Sequence, residues 1–571
     1  MDAFEYYVRF LVFSDGTKIE LSKDDIVLVV GGNNAGKSQA LRDLVHQMDH
    51  LGANDGRRTV VKAVDVVISE DDGSLDAFVS TLDKVPGADP QIARMGASMH
   101  WNMVERLKSV QGPPRKQEFR RYLRAFTTYL VETENRLQIT RPISAIDLEL
   151  QSKSHPFHYL QDDIDVEDEI SKIFRKAFGL DLVVNRTAGS ALHVHVGPRP
   201  TASPTYDVRK EVREKIVALP RLHEQGDGMR AFVGCLMWGM VANYNIILID
   251  EPEAFLHPPQ ARLLGRTLVQ KRPLGTQLFL ATHSGDILRG ALDAGAPRLR
   301  ILRLSRDGNV NRVTELPPTD VVALASDSLL RQTNVLDALF HQQTIVCESD
   351  SDCHFYSEVM HVLGDVDGTR ANPDVLFLQS YGKSRLAAVA APLRKLGVPV
   401  KVVADFDVLR TEDSLRAIYA SLGGAWRDVA EDWSLIEAAI SSKKAQLDKS
   451  DLQKAIKEAL DKVDGPIVPD AALKQIRDAA KKASAWADAK TLGSAFLPAG
   501  DITNRYKRLI AKFKAVGLYV VSKGELESFC KSVDGHGPAW VEEVCKRDLA
   551  KDPELREARE FTQDLIWGDP S

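Results

Sequence analysis

The eight residues GGNNAGKS, from Gly31 to Ser38, constrain the fold of this chain more than any other stretch. They match the phosphate-binding pattern G-x-x-x-x-G-K-[ST]. The β-rich apolar run DIVLVV precedes them, and apolar residues at helical spacing follow from about Lys37 to Met48. A glycine turn that arises by chance has no reason to lie between a strand and a helix. The stretch therefore predicts an α/β domain in which a loop and a helix amino terminus hold phosphate.

The side chains of this loop suit a nucleotide bound with a metal ion. Glycines allow backbone N–H groups to close around phosphate oxygens, an ammonium group reaches the β- and γ-phosphates, and a hydroxyl group holds Mg²⁺. We expect ATP to contact Gly31, Asn33, Asn34, Gly36, Lys37 and Ser38, with Ser38 as a metal ligand.

Two further strand ends are predicted to face the same nucleotide. The apolar run IILIDEPE ends in an acid pair, of which Asp250 is expected to bind Mg²⁺ through water and Glu251 to orient or deprotonate the attacking water. His283 follows the next β-rich run, QLFLATHS, where it is placed to sense the γ-phosphate. A single histidine is usually an ordinary surface or core residue, but the acid pair at the same sheet edge favours the functional interpretation.

The remaining chain continues the α/β pattern. From about Met229 apolar runs alternate with helical patterns, and a second alternating series begins at about Thr344, so parallel sheets are expected. With 571 residues the chain is too long for one hydrophobic core, and two to four domains are expected.

Composition limits the partners. Because the formal net charge is −6, a nucleic-acid partner needs local basic patches; Arg115–Arg124 and Asn504–Lys514 are candidates, and solvated helix faces explain them equally well. The five cysteines form no CxxC pair, which predicts reduced thiols and no zinc site. The amino terminus lacks a secretory signal pattern, and the most apolar window, residues 231–249, runs straight into an acid pair. A cytoplasmic protein without a membrane span is expected.

These motifs together resemble the ABC-type ATPase heads of the structural-maintenance, recombination and DNA-repair class over about residues 1–310. The resemblance implies a helical insertion at about residues 50–135 and a homodimer or higher homo-oligomer formed through the heads. The signature segment of that class matches EQGDGMRAF, which keeps Gly226 and Gly228 as caps for the partner's nucleotide but lacks the usual serine. Two residues are candidates for the glutamine that follows the first lobe in that class: Gln138 and Gln161.

A second group of carboxylates occurs in the second alternating series. TIVCE ends in Glu348, Asp352 follows four positions later, and VPVKVVADFD ends in Asp405 and Asp407. Because side chains alternate along a strand, the two aspartates are predicted to share one face. Carboxylates so placed repel each other unless a cation neutralises them, and hard oxygen ligands suit Mg²⁺ or Mn²⁺. The alternatives are a strand end turned to solvent and, for Asp352, an ordinary helix cap.

The order of these acids is similar to that of the Toprim fold of topoisomerases, primases and some nucleases, although Ser349 stands where that family usually has glycine. VVSKGELESF looks like the K…G-x-x-E ending of the OLD-family nucleases, which fuse an ABC-type ATPase to a Toprim domain. In this ending Lys523 and Glu527 match the motif, with Glu525 as the alternative acid. The nuclease subunit of the Gabija anti-phage system and some retron-associated nucleases have similar architectures.

The resemblance implies four segments. They are an ATPase domain at 1–310, a connecting segment at 311–343, a Toprim domain at 344–530 with a helical insertion at about 411–515, and a helical tail at 531–571.

By resemblance, the chain is an ATP-regulated, divalent-metal-dependent DNA endonuclease or nickase of anti-phage defence, with a defence-system protein or nucleic acid as a further partner. Lys523 would neutralise the phosphate in the transition state. One or two metal ions would be held by Glu348, Asp352, Asp405, Asp407 and Glu527. A topoisomerase needs a nucleophilic tyrosine and a primase usually a zinc module, and the sequence marks out neither. A non-cleaving ATP-dependent DNA-binding switch or repair factor remains the alternative.

Overall fold

The chain forms two compact units, Met1–Phe340 and His341–Ser571, in a computed structural model. The structure describes residues 4–50, 59–85, 90–112, 114–201, 209–308, 310–316, 334–366, 373–443, 449–463, 467–481 and 485–568. Of the expected connecting segment 311–343, residues 317–333 lie outside the described part.

The first unit is built on a six-stranded sheet with the order β15-β14-β3-β13-β12-β8. Its strands are β3 (Ile26–Gly31), β8 (Thr128–Val131), β12 (Ile246–Asp250), β13 (Gln277–Ala281), β14 (Leu299–Asp307) and β15 (Val310–Leu316). All of its neighbouring strands are parallel except β14 and β15. Every residue of β3, β12 and β13 is buried, which is why these strands are continuous apolar runs without alternation.

The parallel register brings three strand ends to one edge. Asp250 at the end of β12 is paired with Ala281 at the end of β13. β3 pairs with β13 on its other side and ends at Gly31, where the phosphate-binding motif begins. This edge is where ligands bind in open α/β sheets.

The region at about residues 50–135, where a helical insertion is expected, contains strands as well as the helices Asp72–Ser80, Trp101–Ser109 and Pro114–Thr127. It contains β4 (Val61–Ile68), which pairs antiparallel with β1 (Tyr6–Phe13), and a sheet of β5 (Asp83–Val85), β6 (Gln91–Arg94) and β7 (Ala97–His100). The burial of β4 alternates, as befits a strand with one face on the core. β2 (Lys18–Glu20) completes the sheet β2-β1-β4.

A third small sheet has the order β10-β11-β9. These strands are β9 (Ile143–Ser144), β10 (Asp181–Asn185) and β11 (Ala191–Gly197). The α-helices of the unit are Lys37–His50, Asp72–Ser80, Trp101–Ser109, Pro114–Thr127, Thr133–Gln138, Phe157–Asp162, Ile164–Phe178, Lys210–Val217, Asp227–Leu236, Pro258–Lys271 and Gly285–Asp293. A π-helical turn, Met237–Val241, and two 3₁₀ segments, Leu222–Glu224 and Asn334–Phe340, complete the described elements of this unit.

The second unit contains a parallel sheet of four strands with the order β17-β16-β18-β19. They are β16 (Gln343–Cys347), β17 (Val375–Gln379), β18 (Val400–Ala404) and β19 (Leu518–Val520). Its α-helices are Asp350–Val366, Leu386–Lys395, Glu412–Ser421, Ala430–Ser441, Lys449–Leu460, Asp470–Lys481, Ala485–Leu492, Asp501–Val516, Pro538–Val544 and Arg556–Trp567. Its 3₁₀ segments are Lys383–Arg385, Phe406–Arg410, Trp426–Asp428, Gly493–Phe496, Leu526–Phe529 and Pro553–Leu555.

The last two helices of this unit are part of its core and do not form a separate tail. The indole of Trp540 is 0% exposed and packs with residues of β16 and of the helix Asp350–Val366. Its Nε1–H donates to the carbonyl oxygen of Cys530 at 3.2 Å. Ala558 and Leu565 of the final helix belong to the same apolar cluster.

Among the described residues, no helix combines the length and the apolar character that crossing a membrane requires.

We predict that Trp540→Ala destabilises the second unit by about 3–5 kcal/mol, since it removes a large buried side chain and leaves a cavity. Leu435→Ala is the control, because Leu435 belongs to the same unit and is 40% exposed. Urea unfolding followed by circular dichroism measures both. Equal losses for the two variants would contradict the placement of Trp540 in the core.

Candidate nucleotide and metal sites

The loop between β3 and the helix Lys37–His50 has the geometry of a phosphate cradle. Gly31 has φ +147°, and a Cβ atom there would lie 2.2 Å from the carbonyl oxygen of Leu304, so the backbone accommodates only glycine. The Lys37 ammonium donates to the carbonyl oxygens of Gly31 at 2.9 Å and Gly32 at 3.0 Å. Burial lowers the pKa of Lys37, and the neighbouring carboxylates oppose this shift. A partly buried ammonium beside the loop suits an anionic ligand.

Ser38 and Asp250 meet as the metal-binding pair of a nucleotide site would. The Ser38 hydroxyl donates to Oδ1 of Asp250 at 2.9 Å. Burial raises the pKa of Asp250, and the hydroxyl donor opposes this shift. A hydroxyl group and a buried carboxylate at a phosphate-binding loop fit Mg²⁺, because this ion takes oxygen ligands and its positive charge neutralises the carboxylate.

Arg136 holds the backbone of the acid pair. This side chain is 0% exposed, and one guanidinium nitrogen, Nη1, donates to the carbonyl oxygens of Asp250 and Glu251, at 2.9 Å each. Glu251 has a left-handed backbone (φ +47°), which is uncommon outside glycine. Arg136 therefore fixes the turn that aims the Glu251 carboxylate. Sequence reasoning missed Arg136, because a single arginine in a short helix carries no pattern.

His283 lies beside two acids of the same edge. Its Nδ1 is 3.1 Å from Oε1 of Glu253 and 3.9 Å from Oε1 of Glu251. Glu253 is buried and accepts hydrogen bonds from the Thr282 hydroxyl and from the backbone N–H of His283. Burial raises the pKa of Glu253, although these donors oppose the shift. Glu253 thus positions His283, a role that sequence reasoning did not assign to the second glutamate of DEPE.

The remaining predicted head residues are placed as follows. Gly226 precedes the helix Asp227–Leu236, and a Cβ atom on Gly228 would lie 2.7 Å from the carbonyl oxygen of Phe255. Gln138 donates to Glu134 of its own helix, and Gln161 bonds to the backbone of Ile146. These bonds give neither glutamine a role at the nucleotide loop.

Another acid, Glu132, directly follows β8, the strand that pairs with β12. Glu132 pairs with Arg42 at 2.9 Å, and its charge is among the smaller causes that raise the pKa of Asp250.

In the second unit, Glu348, Asp405 and Asp407 offer carboxylate oxygens that all lie within 4.8 Å of one another. The sequence-based reason for expecting Asp405 and Asp407 together was wrong. β18 ends at Ala404, and Asp405 precedes the 3₁₀ segment Phe406–Arg410, so the pair does not alternate along a strand. A tight turn brings the two carboxylates near Glu348, whose Oε1 accepts the backbone N–H of Asp405 at 3.1 Å.

Burial and repulsion by neighbouring carboxylates raise the pKa values of Glu348 and Asp405. Burial is the main cause that raises the pKa of Glu348 to about 7 and that of Asp405 to about 8, and the neighbouring carboxylates add to both shifts. Because the ionised forms of these carboxylates are disfavoured, a divalent cation that neutralises them fits the site. An all-carboxylate donor set suits Mg²⁺ or Mn²⁺.

Two lysines that sequence reasoning missed already bring positive charge to these acids. The Lys383 ammonium lies 2.6 Å from Oδ2 of Asp407. The Lys490 ammonium lies 3.5 Å from Asp405 and 3.2 Å from Glu525, and although burial opposes it, the charges of these acids raise the pKa of Lys490. Lys490 comes from the helix Ala485–Leu492, far along the chain, so only the fold shows its place.

The Asp352 side chain forms hydrogen bonds that cap a helix, and its charge also acts on Glu348 and Asp405. Its Oδ2 accepts hydrogen bonds from the N–H and the hydroxyl group of Ser349, whose Oγ accepts the N–H of Asp352 in return. This reciprocal arrangement is a capping box at the start of the helix Asp350–Val366. Burial raises the pKa of Asp352, and the charge of Glu527 adds to the shift.

Glu527 belongs to a second group of ligand atoms, formed with Glu525 and His536 within 4.8 Å. Its Oε1 accepts the N–H of Gly537 at 2.8 Å and lies 2.7 Å from Nδ1 of His536. The structure does not place Lys523 beside the carboxylates, since its ammonium lies 2.6 Å from Glu557 of the final helix.

In both candidate basic stretches, cations are bonded to acids or carbonyl oxygens of their own unit. The bonded cations are Arg115, Arg120, Arg124, Arg505, Arg508, Lys512 and Lys514. These bonds favour the structural interpretation of both stretches.

Part of the chain is similar to known proteins. A family model described as "AAA domain, putative AbiEii toxin, Type IV TA system" matches residues 101–289, which include Asp250, Glu251 and His283. The Old nuclease of Escherichia phage P2 is 25% identical over 174 residues, which are 29% of this chain and 28% of the phage protein. The match thus spans little more than a quarter of the phage protein's length. The two matches support an OLD-like ATPase domain.

Two solved structures of SMC heads are distantly similar to this chain. An SMC head bound to the C-winged helix domain of ScpA is 15% identical, with a TM-score of 0.34, over 55% of this chain and 98% of that chain. The SMC head domain from Thermotoga maritima is 14% identical, with a TM-score of 0.28, over 55% of this chain and 99% of that chain. Scores of this size do not define a fold, which rests here on the strand order.

We predict that the metal-free protein loses stability as the pH rises from about 4 to about 8. Because the pKa of Asp405 is raised to about 8, the folded protein holds a proton that the unfolded chain releases at lower pH. Asp405→Asn removes this charge and should flatten the decline. The measurement is the unfolding midpoint in EDTA across this range, with the exposed Asp461→Asn as the control. Parallel curves for wild type and Asp405→Asn would contradict the prediction.

Proposed function

We propose that this chain is an ATP-regulated, divalent-metal-dependent nuclease that hydrolyses phosphodiester bonds of DNA. The observation that carries the proposal is the group Glu348, Asp405 and Asp407, partly buried at the carboxyl edge of a parallel sheet in a chain that also has a phosphate cradle. A parallel four-stranded sheet in which two strands are followed directly by Glu348 and Asp405 supports a Toprim-type nuclease unit.

In the first unit, the loop Gly31–Ser38 binds the phosphates of ATP and Lys37 neutralises their charge. Ser38 and Asp250 hold Mg²⁺. Glu251, aimed by Arg136, accepts a proton from the attacking water, and His283, positioned by Glu253, lies where a γ-phosphate is sensed.

In the second unit, Glu348, Asp405 and Asp407 would hold the metal, with Glu525, Glu527 and His536 available for a second ion. A bound divalent ion supplies a nucleophilic water at neutral pH and stabilises charge on the phosphate. Lys490, between Asp405 and Glu525, neutralises the phosphate in the transition state, the role that the sequence assigned to Lys523.

The presence of both sites in one chain suggests that nucleotide state controls cutting. We propose that the heads associate as a homodimer or higher homo-oligomer and that the protein acts in anti-phage defence. The likeness to the Old nuclease supports the nuclease assignment, and the oligomer and the defence role are inferred from the family resemblance.

The proposal predicts metal-dependent cutting of plasmid DNA that Asp405→Ala abolishes. Supercoiled plasmid is incubated with Mg²⁺ or Mn²⁺, with and without ATP, and nicked and linear products are measured on gels. Asp405→Ala should still bind ATP, whereas Lys37→Ala should lose ATP binding and the ATP dependence of cutting. Equal cutting by wild type and Asp405→Ala would refute the metal site. ATP-dependent DNA binding without cutting would instead favour the switch or repair factor.

We further predict that Lys490→Met slows cleavage by about 100-fold, the scale reported for the loss of one charge-stabilising group. Lys523→Met should cost much less, because its ammonium faces Glu557. Lys490→Arg keeps the positive charge and should restore part of the rate. A larger loss from Lys523→Met than from Lys490→Met would return the catalytic role to Lys523.

A further inference from the structure

The loop that follows β17 lies against the end of the strand that leads to Glu348. The backbone N–H of Ser380 donates to the carbonyl oxygen of Cys347 at 2.9 Å, and that of Gly382 donates to the carbonyl oxygen of Glu348 at 2.8 Å. These two bonds hold the segment Ser380–Arg385, SYGKSR, at the same sheet edge as the carboxylates.

Tyr381 is an unusual residue in this loop. Its side chain is 58% exposed, although a tyrosine ring gains free energy from burial. Its φ of +60° is a left-handed conformation that a bulky side chain adopts only at a cost of about 1–3 kcal/mol. Such strain persists where the surrounding structure holds it, and here the two bonds to Cys347 and Glu348 do so.

Two cationic residues, Lys383 and Arg385, follow Tyr381 in this loop. The guanidinium carbon of Arg385 lies 5.8 Å from the centroid of the Tyr381 ring, and Lys383 reaches Asp407. The loop therefore combines an exposed ring, a guanidinium group close to that ring and an ammonium group bonded to one of the metal-binding acids.

We propose that this loop is a nucleic-acid subsite in which an unpaired base stacks on Tyr381 while Arg385 and Lys383 contact the neighbouring phosphates. The inference rests on the proposed nuclease function and specifies how the substrate is held. An aromatic face beside cations is the arrangement that binds single strands without reading sequence, since every base has a π-face. A base within a duplex has no free face for the ring, so the loop selects single-stranded, frayed or flipped nucleotides next to the scissile phosphate.

Tyr381→Gly is the sharpest variant, because glycine adopts a positive φ without strain and only the ring is lost. In the non-cleaving Asp405→Ala background, we expect its affinity for a fluorescent single-stranded oligonucleotide to fall about 10-fold, measured by anisotropy. Tyr381→Phe keeps the ring and should bind like the parent. Affinity for a blunt duplex of the same sequence should change by less than the single-strand affinity. The unfolding midpoint of Tyr381→Gly should not fall, which separates loss of the ring from loss of fold.

Arg385→Ala should also weaken single-strand binding and reduce its dependence on salt. Arg427→Ala is the matched control, because Arg427 is an exposed arginine of the same unit whose nearest acid is its own neighbour, Asp428. Unchanged single-strand binding by Tyr381→Gly, or an equal loss with the duplex, would overturn the subsite. If wild type cuts DNA and Asp405→Ala does not, this failure concerns the subsite alone, whereas absence of any cutting by wild type refutes the nuclease itself.

Discussion

Repulsion among buried carboxylates is the constraint on which the second unit depends. Parallel strands β16 and β18 stop one residue before Glu348 and Asp405, and the turn after β18 adds Asp407. No arrangement of apolar side chains stabilises three such charges together, so each needs a proton or a cation. Lys383 and Lys490 supply part of the positive charge that these carboxylates need, and a bound divalent ion would supply the rest.

The first unit also places a carboxylate at the end of a buried strand, but fewer charged groups lie together there. Asp250 is buried at the end of β12 and bonds to Ser38, while Arg136 binds the carbonyl oxygens of the acid pair without pairing with its carboxylates. The guanidinium therefore fixes the backbone and leaves the carboxylates available for ligand. Both units thus place acids where parallel strands end, and both stabilise the turn that follows with a basic side chain from another part of the chain.

The strength of local patterns decided what could be predicted. The phosphate loop and the strand β12 with its acid pair are contiguous motifs, and Glu348 and Asp405 each directly follow a strand-like run. Strand β4 was missed because its partner, β1, lies far away in the sequence. β5, β6 and β7 pair with one another, but each has only three or four residues and shows little pattern alone. The aspartate pair was expected on one strand face, whereas the structure delivers it by a turn.

The sequence by itself determined the α/β class, the phosphate cradle and the chemical types of the acids, because these depend on short segments whose spacing is fixed by one strand, one loop or one helix. Only the tertiary structure decided which cations meet those acids. Lys490 and Arg136 come from distant helices, and Lys523, four residues from Glu527, turns away to Glu557. Ion pairing depends on the distance between two charges in space, and a long, flexible lysine side chain can reach acids on either side of the backbone that carries it.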